Sequence, residues 1–248
     1  MKSDKKIYDK KIAENRNEIF KKQNNTIISN EFFKTIEKYL KNDISILDIG
    51  TGNGYVLKEL NERYNFNLNL YGNDISSEMI KQAQKNCKKI KNINFVLCSN
   101  YNLKFEDNKF DIVVAKNVTR FSAKEVYRIL KPNGIFIYRE YGKYKGMVEI
   151  SKEFKSRLIR SRYKSFYDNK MRKANFKVVT SCYIKEKRKY NNVNEIIKTI
   201  EAFPMILNFN DCDKNKLIQK YNNAENIEIT SDAFLAVYKK GGFKNEFK

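Results

Sequence analysis

The residues best placed to do chemistry in this 248-residue chain are Ile46-Leu47-Asp48-Ile49-Gly50-Thr51-Gly52-Asn53-Gly54, an apolar run ending in three alternate glycines. Glycine removes side-chain bulk and permits positive φ, so backbone can approach a ligand lying across the carboxyl end of a strand. A nicotinamide fingerprint would need Gly or Ala where Tyr55 stands, and a Walker loop would need Gly-Lys-Ser/Thr, which is missing. The segment therefore reads as a nucleoside pocket without a phosphate cradle. Asp48 beside the loop can bind an ammonium or hydroxyl but repels pyrophosphate, so the ligand should carry positive charge. Further on, Tyr71-Gly72-Asn73-Asp74-Ile75-Ser76 closes a second apolar run with a second carboxylate, placed for paired ribose hydroxyls. The plainer reading of Asp74 and Ser76 is helix capping.

Composition removes other chemistries. Histidine is absent, which excludes imidazole as base, nucleophile or metal ligand. Cys87, Cys98, Cys182 and Cys212 form no C-x-x-C pair, which argues against a zinc site or redox dithiol. Fifty Lys+Arg against 29 Asp+Glu give +21, a charge suited to nucleic acid, an anionic membrane or an acidic substrate. Only ten of the fifty are Arg, and Asn, Ile, Phe and Tyr are plentiful. That is what A/T-rich codons produce without selection, so drift toward a basic surface is the stronger reading. No apolar run approaches the roughly 20 residues of a bilayer span, and the charged start has no apolar segment behind it. A soluble, reducing, cytoplasmic protein is expected.

The elements that must position these residues alternate. Two helices are predicted within 1–42, from Ile7, Tyr8, Ile12, Ile19 and Phe20, then from Ile27, Ile28, Phe32, Phe33, Ile36, Tyr39 and Leu40 at helical spacing. A buried strand at 44–51, a helix at 55–63, a strand at 68–73 and a helix capped near Ser76 follow. Next come strands at 93–97 and 110–115, a helix at 122–130, the turn KPNG and a strand at 135–140. This alternation argues for a doubly wound parallel sheet with helices on both faces. From Gly142 the pattern loosens into a helix near 166–174, a strand at 176–183, helices at 193–202 and 214–221, and a strand at 233–238. The predicted organisation is a helical cap at 1–42 and one α/β domain at 43–248, with lid insertions at about 141–175 and 190–225.

The chain resembles the class I S-adenosylmethionine-dependent methyltransferases through LDIGTGNG at 47–54, NDISSEMI at 73–80, CSNYNLKF at 98–105, FDIVVAKNVTRF at 110–121 and LKPNGIFI at 130–137. The resemblance implies a Rossmann-like, mostly parallel seven-stranded sheet whose last strand is antiparallel, with S-adenosylmethionine as methyl donor. It places Gly50, Gly52 and Gly54 under the methionine part, with Asp48 and Thr51 beside them, and Asp74 and Ile75 at the ribose. The family commonly has an acidic residue at the position of Ser99 to meet the adenine amino group. Here Ser99 and Asn100 leave that contact to a neutral side chain or to backbone. Asn117 is expected to touch donor and acceptor.

Methyl transfer from a sulfonium is an in-line displacement needing no metal, so positioning and desolvation can supply most of the catalysis. A base, where required, must be Asp, Glu, Lys, Tyr or water, and no catalytic residue is assigned. That lack tilts toward a nitrogen, sulfur or carboxylate acceptor. Lys116, Asn117 and Arg120 follow the fourth strand of the family fold, where the acceptor lies. Asn117 is followed by Val118 rather than two prolines and an aromatic, and no Pro-Cys pair exists, which argues against DNA. Arg139 and Tyr141 could form a rim after the fifth strand. Arg157, Arg160 and Arg162 could clamp a carboxylate or phosphate. Tyr8 and Arg16 could close over the donor. Solvated or packed roles for these groups stay open. The leading expectation is a small-molecule acceptor bearing an anionic group and no membrane partner. RNA, drawn by the basic surface and stacked on some of sixteen Tyr, is the first alternative. A donor-binding subunit without catalysis is the second.

Overall fold

The computed structural model describes residues 26–159, 162–222 and 224–241. Helix α1 (Ile27–Glu37) precedes β1 (Ile44–Ile49), α2 (Tyr55–Arg63), β2 (Leu68–Asp74), α3 (Ser77–Asn86) and β3 (Ile93–Leu97). Then come β4 (Phe110–Lys116), α4 (Ala123–Ile129), β5 (Leu130–Tyr141), α5 (Val148–Glu153) and α6 (Lys164–Arg172). The chain ends with β6 (Phe176–Tyr190), α7 (Val193–Ala202), α8 (Asp211–Tyr221) and β7 (Ile227–Lys240). The seven strands form one sheet in the order β3-β2-β1-β4-β5-β7-β6, with β7 antiparallel. β1 runs parallel to both β2 and β4, with Asp48 level with Gly72 on one side and Val114 on the other. Strand order reverses between β1 and β4, so the carboxyl ends of these two strands open the crevice where doubly wound sheets bind ligands.

Two compact units divide the chain. The sheet unit comprises Glu31–Glu140, Lys164–Cys182 and the described residues from Phe234. Its core joins Leu47, Ile49, Phe110, Val113, Phe121, Phe136, Tyr138 and Phe234, with Tyr167 and Met171 from α6. Helix starts follow their caps: the Ser76 and Ser122 hydroxyls accept from Met79 and Glu125 N–H, each satisfying a donor the helix leaves open. The second unit comprises the described residues up to Asn30, Tyr141–Tyr163 and Tyr183–Ala233. It packs Ile150, Phe154, Tyr190, Ile196, Ile200, Leu217 and Ile229 into a core of its own.

Several boundaries differ from those predicted. KPNG turns inside β5 rather than before it: Phe110 pairs with Leu130 and the register resumes only at Ile112 with Ile135, while Asn133 takes φ 65 and a Cβ on Gly134 would fall 2.8 Å from Lys131 O. β6 runs to Tyr190 because Glu186, Arg188 and Tyr190 continue the inward face, and charged residues at inward positions conceal the period. β7 begins six residues earlier than predicted, through Ile227 and Ile229. α8 begins at Asp211, where Asn210 and Asp213 form a reciprocal capping box. The stretch 141–175 is divided between the units at Tyr163 and Lys164.

Candidate functional site

The glycine loop leaves β1 through three residues of positive φ: Gly50 at 64, Gly52 at 56 and Gly54 at 80. Each has its own surroundings. A Cβ on Gly50 would lie 2.9 Å from Val118 Cγ2, so the segment after β4 lies against the loop. One on Gly54 would meet Cys87 Sγ at 3.0 Å and Ala83 Cβ at 3.2 Å, which sets how closely α3 approaches. One on Gly52 would meet nothing within 4 Å: the loop there faces open space.

Around that opening the side chains form a connected set. Gly52 N–H donates to Asp74 Oδ2 at 3.0 Å and Ser76 N–H to Asp74 Oδ1 at 2.9 Å, so Asp74 ties the loop to the turn that leads into the Ser76 cap of α3. Thr51 N–H donates to Asn73 O at 2.8 Å. Asn73 Nδ2 donates to Asn100 Oδ1 at 2.8 Å and Cys98 O at 3.3 Å, and Asn100 Nδ2 donates to Arg120 O at 3.3 Å. Ser99 Oγ accepts from Tyr101 N–H, shaping its own turn. Ile75 projects into solvent at 69% exposure beside Asp74.

Two buried polar atoms here have no hydrogen-bond partner among the described residues: Asp48 Oδ2 and Asn73 Oδ1. Native interiors rarely leave such atoms unpaired, and two of them together call for a ligand or water. Burial raises the Asp48 carboxyl to about 7, with Thr51 and Lys116 pulling it down and Asp74 pushing it further up. Lys116 Nζ sits 4.2 Å from the centre of the Tyr55 ring, which is edge-on to Phe33. These groups fit S-adenosylmethionine: a buried carboxylate with acceptor capacity for its ammonium, bare backbone over Gly52, and a second carboxylate for its ribose.

Lys116 is level with Arg139 across β4 and β5. Asn117, in the left-handed region at φ 60, donates its N–H to Arg139 O at 2.8 Å and accepts from Arg139 Nη1 through Oδ1. Arg139 is 3% exposed, so its charge is held inside rather than on a solvated rim. Arg120 is exposed. Tyr141 is half-buried and belongs to the second unit. Arg157 does not present an open clamp: both its terminal nitrogens donate to the Asp213 carboxylate. Tyr8, Arg16 and Arg160 lie outside the described residues. The structure thus joins Asp48, Gly50, Thr51, Gly52, Asp74, Asn100 and Val118 in one neighbourhood and pairs Asn117 with Arg139.

Sequence reasoning passed over Asn73, whose side chain links the second and third motifs; a polar residue closing a buried strand was its signal. It also passed over Glu140, 5% exposed at the end of β5, whose Oε2 lies 3.2 Å from Tyr138 Oη.

Residues 40–164 match the methyltransferase domain family. The chain belongs to this family, the class I S-adenosylmethionine-dependent methyltransferases. Among curated proteins it is similar to the ubiquinone/menaquinone biosynthesis C-methyltransferase UbiE of Rickettsia bellii, 34% identical over 127 residues. That match covers 46% of this chain, and the chain spans about half the length of that relative. Among solved structures it is similar to the YcgJ protein of Bacillus subtilis, with TM-score 0.63 and 17% identity over 86% of this chain and 98% of the other. It is also similar to phosphoethanolamine N-methyltransferase 2 of Haemonchus contortus in complex with S-adenosyl-L-methionine, with TM-score 0.54 and 19% identity over 86% and 52%. At these identities the solved structures speak for the fold. No helix among the described residues is long and apolar enough to cross a membrane.

Proposed function

We propose that the chain moves a methyl group from S-adenosylmethionine to a small-molecule acceptor bearing an anionic group, by in-line transfer driven mainly by proximity and desolvation. The observation that carries this is the buried, unpartnered Asp48 Oδ2 beside open backbone at Gly52. When bound, the donor supplies an activated methyl on sulfur. Asp48, with Thr51, holds the cationic amino-acid end, and Gly50, Gly52 and Gly54 let the backbone lie close to it. Asp74 and Ile75 take the ribose, and Ser99 and Asn100 the edge of the base. Asn117, fixed by Arg139, orients the reacting end, while Lys116, Arg139 and Arg120 supply the field for an anionic acceptor. Tyr8 and Arg16 stay in this proposal on the resemblance, and Arg160 on its arginine-rich neighbours. The pairing of Arg157 with Asp213 gives that residue a structural role instead. The printed function of the relatives, C-methyltransfer in ubiquinone/menaquinone biosynthesis, supports a small molecule with carbon as the accepting atom.

The test is calorimetry with S-adenosylmethionine and S-adenosylhomocysteine, followed by incubation with isotope-labelled donor and fractionated extract, with and without nuclease. Binding of both nucleosides and nuclease-resistant label in a small-molecule fraction are expected. Absence of donor binding overturns the reading. Label lost on nuclease treatment replaces the small molecule with RNA.

A further inference from the structure

The segment from Asn117 to Ser122 links β4 to α4 without helix or strand of its own, so no ladder supplies partners for its peptide groups. Val118 and Phe121 are buried all the same. Buried carbonyls need donors, and here side chains of the sheet unit bring them. The Tyr138 hydroxyl donates to Val118 O at 2.8 Å, the nearer of its two acceptors, with Glu140 Oε2 at 3.2 Å. Tyr167 Oη donates to Thr119 O at 3.4 Å, Asn100 Nδ2 to Arg120 O at 3.3 Å, and Lys170 Nζ to Phe121 O. Four successive carbonyls are thus tied to β5, to α6 and to the loop after β3.

Both ends are fixed as well. Asn117 N–H donates to Arg139 O at 2.8 Å, and Ser122 N–H donates to Asn100 O at 2.9 Å while its hydroxyl caps α4. Between them Phe121 packs edge-on to Phe136 and Tyr138 and stacks on Tyr167, and Lys170 Nζ stands 3.8 Å from the centre of the Phe121 ring. Burial, with Glu140 and Tyr167 beside it, raises the Tyr138 hydroxyl well above its ordinary value, so it keeps its proton and remains a donor. A charged donor binds a carbonyl more strongly than a neutral one, which makes Lys170 the strongest of the four ties. Val118 also lies against the glycine loop, its Cγ2 2.9 Å from where a Cβ on Gly50 would stand. Slack in the segment therefore reaches the crevice at the carboxyl ends of β1 and β4.

We propose that Tyr138 and Lys170 are positioning residues for methyl transfer: they strap the segment 117–121 into one arrangement and so fix the wall of the crevice that follows β4. Neither needs to touch donor or acceptor. An in-line displacement loses rate steeply when the reacting atoms are misplaced, so a wall with a single setting adds rate without adding donor affinity. This rests on the methyl-transfer reading and deepens it by two residues outside the glycine loop, one of them on α6.

The full chain and its variants Lys170→Met, Lys170→Arg, Tyr138→Phe and Lys240→Met are compared at a temperature where all are folded, by hydrogen exchange over 117–122 and by labelled-methyl uptake into the extract fraction that the wild type labels. Lys170→Met keeps the stem over Phe121 and removes the donor. It and Tyr138→Phe are each expected to exchange about tenfold faster over 117–122 and to lower the maximal transfer rate about tenfold, with KM for S-adenosylmethionine and affinity for S-adenosylhomocysteine held within about twofold. Lys170→Arg, which restores a charged donor, recovers both. Lys240→Met is the matched control: Lys240 Nζ also donates to a carbonyl, Leu130 O at 2.6 Å, and stands 4.6 Å from the centre of the Tyr127 ring, but at the start of β5, the end of the sheet away from the crevice. It melts lower and matches the wild type in exchange over 117–122 and in rate. The proposal is overturned if Lys170→Met and Tyr138→Phe leave either exchange or maximal rate as in an active wild type, or if Lys240→Met slows transfer as much as they do, the loss then following stability alone. A wild type that neither binds S-adenosylhomocysteine nor transfers label loses the methyl-transfer reading, and faster exchange in the two variants then keeps the strap without it.

Discussion

Asp48→Asn is expected to strengthen the free protein and disable it. Asp48 is buried, one of its oxygens is unpartnered, and its carboxyl is raised from the ordinary 3.8 to about 7. A carboxyl whose pKa is raised in the folded state binds more protons folded than unfolded, so between those two values stability falls as pH rises. Above pH 7 the folded protein carries the whole penalty, which at 1.36 kcal/mol per pH unit over about three units is about 4 kcal/mol. Below pH 4 it vanishes. Asparagine keeps the shape without the charge, so the variant should be more stable than wild type by up to about 4 kcal/mol at pH 8 and equal to it near pH 4. For a chain of this size that is a rise in melting temperature of about 8–16 °C at pH 8. Denaturant melts at both pH values measure it. Calorimetry on the same variant should show donor binding lost, and in the wild type donor affinity should weaken about tenfold for each pH unit below 7, because a cationic donor requires the carboxylate. A variant no more stable than wild type at pH 8, or one that still binds donor, would falsify the assignment of Asp48 as a carboxylate held for a cation.

The glycines should separate fold from function: Gly50→Ala, driven into Val118 at positive φ, lowers the melting temperature, whereas Gly52→Ala, with open space around its Cβ, costs only about 1 kcal/mol of backbone strain and mainly weakens donor affinity. Arg157→Ala should melt slightly lower through loss of its Asp213 partner, with donor affinity and transfer unchanged; a large rise in acceptor KM would restore Arg157 to the site. Tyr238→Phe removes the buried bond from Tyr238 Oη to Asp168 Oδ1 and should cost about 1–3 kcal/mol in denaturant melts. Bonds from Lys164, Tyr238 and Ser181 outweigh the burial that would raise the Asp168 carboxyl and hold it below its ordinary value. The stability it contributes is therefore full above pH 4 and lost as pH falls further, and Asp168→Asn should flatten that acid limb.

The sheet unit was legible from local pattern because its signals are local. Strand 93–97 and helix 55–63 fall where periodicity puts them, and the loop from Asp48 to Gly54 needs positive φ at residues that only glycine serves well. The cap at Ser76 is likewise written in its neighbours. Pairing across the sheet was not legible. KPNG reads as a turn by residue type, but Leu130 before it pairs with Phe110, which places the turn inside β5. β6 and β7 read as short because Glu186, Arg188, Ser231 and Asp232 interrupt the apolar alternation, and only burial against partners distant in sequence keeps those segments extended. Arg157 illustrates the same limit: its type and its arginine-rich neighbours suggest a clamp, while Asp213, fifty-six residues away, decides that it is a tie. Residue type and spacing determine what the backbone can do locally and which ligand the loop tolerates. Which charges meet and which are buried depend on long-range approach, and only the folded chain decides them.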